Sequence, residues 1–353
     1  VALSLSTTRG RDEVTLVVDG REFRFFESLE VTLSLDTVST VELTAPFEPG
    51  EASHRKLFLP FQFQPLEVLL GGENLFTGTV VSTEPSADAN RSVVELAGYS
   101  LPGVLGDCAM PVDELPLEFK GIPLKEILPA ITKPFGVDVE IRDDTGPAFK
   151  KVSIDIDDKP LEWLAKLARQ RSLVLSSTDS GKLLCWRSVQ TGSPVAALEG
   201  QPLVKVESEF SAQDYFSVVT GFVPKTRRRK GIRQPLQNPW LTGRVRPMNF
   251  RLDDIDPASA PDAVRAKLAR MFAGMAAYSV KDLPTWRDPS GNLWRPNTTI
   301  KIKAPEVMIY DYYEFLIRTV RLREEADKQT ADLELVMPGA FSGEIPESLP
   351  WQA

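Results

Sequence analysis

Short runs that alternate apolar and polar residues fill the first hundred positions. Val14–Val18 leads through Asp19-Gly20 to Phe23-Arg24-Phe25, and Asp-Gly between alternating runs predicts a hairpin. Val31-Thr-Leu33-Ser-Leu35, Val41-Glu-Leu43, Leu66-Glu-Val68, Thr79–Ser82 and Val93–Leu96 repeat the pattern, with turns at Phe47–Gly50 and Gly71-Gly72. Strands this short and this closely spaced predict a small antiparallel barrel or sandwich.

Near Leu105 the period changes. Leu124, Ile127, Leu128 and Ile131 fall at helical spacing, and Pro134 closes that segment. Val137–Ile141 alternates as a strand. Pro160 begins a second helix with Leu161, Leu164, Leu167 and Ala168 on one stripe, and Leu173–Leu175 with Leu183–Trp186 closes an α/β module. Strand patterns return at Leu203–Phe210 and Tyr215–Val223. A helix is predicted through Val264, Leu268, Met271, Phe272 and Met275, followed by strands at Thr298–Ile302, Tyr313–Leu322 and Ala331–Met337.

Two segments echo each other. Thr79-Val80, Glu84, Ala87-Asp88 and Glu95-Leu96 align, with one deletion, to Thr319-Val320, Glu324, Ala326-Asp327 and Glu334-Leu335. The echo predicts two barrels of common origin, so that three subunits would present six similar faces.

Composition mostly excludes. The 353 residues carry 41 basic and 49 acidic side chains, a net charge of −8, which argues against general nucleic-acid binding. Cys108 and Cys185 cannot build a disulfide framework, and a single histidine, His54, leaves no imidazole zinc site and no nucleophile motif beside it. No cofactor motif occurs, and no cofactor or metal is expected. No apolar run reaches the ~20 residues of a membrane span, and the first residues do not read as a signal peptide. The acidic pairs Asp143-Asp144, Asp157-Asp158 and Asp253-Asp254 lie beside turns or helix starts and read as caps. Both cysteines read as packing residues. Trp286, Trp294, Tyr310, Tyr312 and Tyr313 read as core or interface, with Trp286–Trp294 a hairpin around Asp-Pro-Ser-Gly.

From Lys225 through Leu252 there are nine basic residues and no acidic one. Lys225, Arg227, Arg228, Arg229, Lys230, Arg233, Arg244 and Arg246 are the candidate docking residues, in a loop suited to an acidic neighbouring chain.

The chain resembles the Mu-like tail hub family, the baseplate hubs of contractile-tailed phages. The likeness is carried by Arg91–Leu101 with Leu105–Ala109, Pro160–Arg169 with Leu183–Trp186, Phe210–Ser217, and Trp286–Asn297 leading to Leu335–Phe341. The resemblance implies a β-rich α+β fold: two similar small antiparallel β-barrels plus an α/β module, assembling as a trimeric ring. By analogy the domains are 1–105 (first barrel), 106–197 with 259–279 (α/β), and 198–224 with 280–342 (second barrel). The basic loop is 225–258 and the tail 343–353. It implies a non-enzymatic virion protein of the tail baseplate, made in the bacterial host cytoplasm. The hub would join the hexameric tail tube to the trimeric spike. Its partners would be itself, the tube protein, the spike and other baseplate proteins, with DNA only in transit and no stable membrane association. The hub of a bacterial contractile injection system or tailocin is one alternative, and a cell-wall hydrolase using carboxylates is a second.

Overall fold

A computed structural model describes residues 11–352 except 24, 116, 191, 200–204, 224–230, 253–258 and 326–327. The first strands are β1 (Val14–Val18), β2 (Arg21–Phe23), β3 (Ser28–Ser34) and β4 (Thr40–Pro46). Helix α1 (Ala52–Leu57) precedes β5 (Pro65–Leu70), β6 (Glu73–Ala87) and β7 (Ser92–Ser100). Asp19 and Gly20 both take positive φ, 50° and 72°, the left-handed pair that a two-residue hairpin turn requires.

The module that follows contains α2 (Val104–Asp107), β8 (Glu118–Phe119), α3 (Leu124–Thr132), β9 (Val139–Ile141) and β10 (Val152–Ser153). It closes with α4 (Pro160–Arg169), β11 (Val174–Ser177) and β12 (Leu183–Trp186). Its own core joins Leu124, Ile127 and Ile131 of α3 to Leu164 and Leu167 of α4 and to Leu183 and Cys185 of β12. The helical stripes read from the sequence are the buried faces.

The second half begins with β13 (Ala197–Glu199) and β14 (Lys205–Phe210), then β15 (Val218–Val223), β16 (Ile232–Gln237) and β17 (Pro247–Arg251). Helix α5 (Ala260–Met275) leads directly into β18 (Ala276–Leu283), followed by β19 (Thr299–Ala304), β20 (Ile309–Glu325) and β21 (Lys328–Val336).

Among the described residues the two expected barrels are not closed by strand pairing. The halves instead share one 13-stranded sheet, whose main path runs β14-β18-β21-β20-β3-β4-β7-β6-β5-β1-β2. The joint is the antiparallel pairing of β3 with β20, from Ser28 opposite Glu325 to Ser34 opposite Thr319. One apolar core spans both halves, from Leu16 and Val31 to Val320 and Leu335. Burial of this shared face favours continuation of the sheet over separate closure.

Within this sheet the halves repeat. The order β3-β4-β7-β6-β5 recurs as β14-β18-β21-β20-β19, with every neighbouring pair antiparallel. Gly98 pairs with Val80 and Val41; Leu335, 237 positions further on, pairs with Ile317 and Tyr278, each also 237 further on. The register skips Val81 on β6 and Arg318 on β20, again 237 apart. No deletion is needed across the hairpin. The echo in the sequence therefore joins the right strands at the wrong register, because Thr79 to Thr319 is a shift of 240. Alternation makes neighbouring registers look alike, and only the bulge fixes the true one.

The repeat also explains the insertion. Between β3 and β4 lie residues 35–39; between their counterparts β14 and β18 lie β15–β17 and α5. β15, β16 and β17 form a separate three-stranded sheet, so residues 232–237 and 247–251 are strands and not loop, and β15 stands outside the main sheet. Val264, Leu268 and Phe272 of α5 pack in the main core with Val219, Val223 and Leu252, so 259–279 belongs with that core rather than with the core of the 106–197 module. Gly221 sets that contact: a Cβ there would stand 2.6 Å from Val264 Cγ2.

Candidate assembly surfaces

At the β3–β20 joint the side chains alternate between the core and a polar face. Leu29, Val31 and Leu33 meet Val320 and Leu322 inside, all nearly inaccessible to water. On the polar face Arg323 Nε donates to Glu30 at 2.6 Å and its guanidinium reaches Asp332 at 2.9 Å. The Glu30 hydrogen bond is the main cause that holds Arg323 above its ordinary pKa. Asp332 is buried, and its other oxygen accepts the Asp282 N–H at 2.9 Å. Asp282 has φ +58° within the bulge of β18, so one carboxylate secures both the joint and the bulge.

That polar face is concave in both halves. In the first it is lined by Glu30, Glu42, Glu84 and Glu95 with Arg323; in the second by Glu207, Glu209, Asp332 and Glu334 with Lys281, Arg318 and Arg321. The counterparts Glu30 and Glu207, and Glu95 and Asp332, occupy equivalent strand positions. Hydrogen bonds from Lys205 and Lys281 pull the Glu207 carboxyl down to about 2. The face remains acidic overall.

The α/β module is seated on the short 35–39 connection. Ser176 Oγ donates to the Ser34 carbonyl at 2.5 Å, Ser39 N–H to Ser177 Oγ at 2.9 Å, and Trp186 Nε1 to the Leu35 carbonyl at 3.2 Å. Arg295 forks onto Asp179 with two bonds of 2.6 Å, and Asp36 takes Arg318. Leu35, Val174, Leu316, Val336 and Phe341 make a small core beneath. The module thus touches both halves.

Of the candidate docking residues, Lys225, Arg227, Arg228, Arg229 and Lys230 lie outside the described residues. Arg233 and Arg244 are exposed. Arg246 is exposed too, and it donates to the carbonyls of Tyr215 (2.8 Å), Ala212 (2.7 Å) and Gln213 (3.0 Å), fastening the 212–217 turn. A cationic cleft that the sequence did not suggest gathers Lys166 and Arg169 of α4, Arg251 of β17, and Lys267 and Arg270 of α5. Burial is the main cause that lowers Arg270 to about 10, with Arg169 adding repulsion. Its parts are about a hundred residues apart in the chain, so no local pattern could reveal it.

Among the described residues no group of three or more His, Cys, Asp or Glu side chains could hold a metal. Asp143 accepts the Arg187 N–H, Asp144 the Gly146 N–H, and Asp158 the Asp155 N–H; Asp253 and Asp254 lie outside the described residues. Cys185 is buried, and that burial pushes its thiol up to about 12; Cys108 is exposed, contrary to its reading as a packing residue, because it sits at the end of the four-residue α2. Trp286 and Trp294 are core residues, while Tyr310 and Tyr312 are half exposed. Asp288 builds the intervening turn by accepting the Ser290 and Asn292 N–H groups.

Residues 102–187 match the second domain of gp44-like baseplate hub proteins. The chain is 26% identical over 312 residues to the baseplate hub protein gp44 of Escherichia phage Mu, covering 84% of this chain and 80% of that protein. In fold it is similar to the 43 kDa tail protein of prophage MuSo2 from Shewanella oneidensis, with a TM-score of 0.79 and 24% identity over 93% of this chain and 99% of that one. The tail protein of Neisseria meningitidis MC58 gives a TM-score of 0.78 at 18% identity, covering 94% and 98%. The resemblance to Mu-like baseplate hub proteins is therefore a property of both sequence and fold.

Proposed function

We propose that this chain is the central baseplate hub of a contractile phage tail, a structural and non-enzymatic virion protein. Three copies form a ring that joins a six-fold tail tube to a three-fold spike and encloses the passage for DNA. The observation that carries this reading is the repeated five-strand unit, joined edge to edge in one sheet. A chain with two equivalent units converts three-fold symmetry on one side into six similar surfaces on the other.

The acidic concave face supports the same reading. Carboxylates repel the phosphate backbone, so a passage lined by this face would let duplex slide without binding it. The basic arm that begins at Lys225 would dock an acidic neighbouring baseplate chain, and charge reversal of Arg227, Arg228 and Arg229 would weaken that contact. The α/β module (106–197) and the separate β15–β17 sheet serve as supports for the two strand units.

Light scattering behind a sizing column tests the assembly. Three copies of 39.2 kDa give about 118 kDa, and electron micrographs of that species should show a ring with a central hole. A species of 39.2 kDa at all concentrations, also in the presence of tube or spike protein, would refute the ring.

A further inference from the structure

Two strand edges are left open by the repeat, and each is the counterpart of an edge already paired inside the chain. β14 corresponds to β3, whose outer edge is covered by β20. The outer stretch of β6, residues 82–87, corresponds to the part of β20 that covers β3. Among the described residues, neither the outer edge of β14 nor that of β6 beyond Val81 pairs with any strand. We infer that β14 of one copy pairs antiparallel with the outer stretch of β6 of a second copy, in the register of the internal β3–β20 joint. This rests on the ring reading and names the contact that closes it.

The register follows by substituting counterparts. Ser28 opposite Glu325 becomes Lys205 opposite Asp88, Thr32 opposite Arg321 becomes Glu209 opposite Glu84, and Ser34 opposite Thr319 becomes Ser211 opposite Ser82. The backbone groups are aimed accordingly. Ser211 N–H bonds Met275 O inward, so the strand alternation turns the N–H and C=O groups of Val206, Ser208 and Phe210 outward. Asp88 N–H bonds Arg91 O, so Thr83, Pro85 and Ala87 face outward on β6.

Two features make this joint weaker than its internal counterpart. Pro85 lacks an N–H and leaves Ser208 C=O without a donor, and Glu84 faces Glu209 where the internal joint has Arg321 facing Thr32. Proline and like charge on an open edge also discourage indiscriminate strand addition before the right partner arrives. The closed ring collects three such contacts at once.

The test is a disulfide across the inferred contact. Glu84 and Glu209 would form a non-hydrogen-bonded pair with Cα atoms about 4.5 Å apart, within disulfide range. E84C/E209C in a Cys108→Ser background is oxidised with diamide, each pair of thiols giving up two hydrogens to it. We expect a non-reducing gel ladder of one, two and three chains that ends at three, while E84C/S208C, with its side chains on opposite faces, gives none. A trimer by light scattering without the cross-link would overturn this pairing and leave the ring reading standing. Monomer without cross-link would overturn both. A ladder running past three chains would uphold the strand pairing and refute the closed ring. E84R, which restores the internal arrangement, should lower the protein concentration at which the trimer dissociates several-fold; weakened assembly would count against the register.

Discussion

Replacing Arg323 by methionine tests how the two halves are held together. The guanidinium bonds Glu30 of the first half at 2.6 Å and Asp332 of the second at 2.9 Å. Methionine keeps the stem's packing and removes both bonds. The Asp332 side chain is only 6% exposed, so its carboxylate would lose a cation in a place water hardly reaches. Charge-assisted hydrogen bonds are worth about 1.5–3 kcal/mol, and the lower end applies because Arg323 itself is 40% exposed. The Glu30 arm, with Arg321 still 3.8 Å away, adds about 0.5 kcal/mol. R323M should therefore cost about 2 kcal/mol. Urea unfolding at fixed protein concentration, followed by tryptophan fluorescence, measures it. In R323M/D332N the stranded charge is gone, so the double variant should be more stable than the summed single losses by about 1 kcal/mol. A loss under about 0.5 kcal/mol, or strict additivity, would refute the assignment of this network to the joint.

Thiol chemistry separates the cysteines. Below pH 9 an aromatic disulfide reagent should label Cys108 in the native protein and both thiols in denaturant. Cys185 is an acid raised from 9.0 to about 12 by burial, so its contribution to stability is complete below pH 9 and is lost as pH rises towards 12. Two fast-reacting thiols at pH 8 in the folded protein would contradict that burial. Gly78→Ala should be severely destabilising, by about 3 kcal/mol or more, since its Cβ would stand 2.1 Å from the Tyr99 carbonyl oxygen, a backbone atom in a paired strand. A melting temperature unchanged within a degree would show that the β6–β7 hairpin yields more than its packing suggests.

Local patterns determined a large part of this protein. Alternation and the Asp19-Gly20 turn specify the first meander, because side-chain period and left-handed turn residues act over a few positions. The stripes Leu124–Ile131 and Leu161–Ala168 specify the module's helices for the same reason, and a single histidine leaves no zinc site built on several imidazoles. Even the internal repeat was visible as an echo. Its register was not, since the Val81 and Arg318 bulges carry no compositional mark. Tertiary structure alone decided that two predicted barrels are one sheet. Whether β3 closes on its own half or pairs with β20, nearly three hundred residues away, depends on which arrangement buries Val31 and Leu322 together. Tertiary structure also gave Arg246 three backbone carbonyls to hold, and gathered Lys166, Arg251 and Arg270 into one cleft. Such choices rest on contacts distant in the chain, whose free energy is realised only once both partners have been brought together.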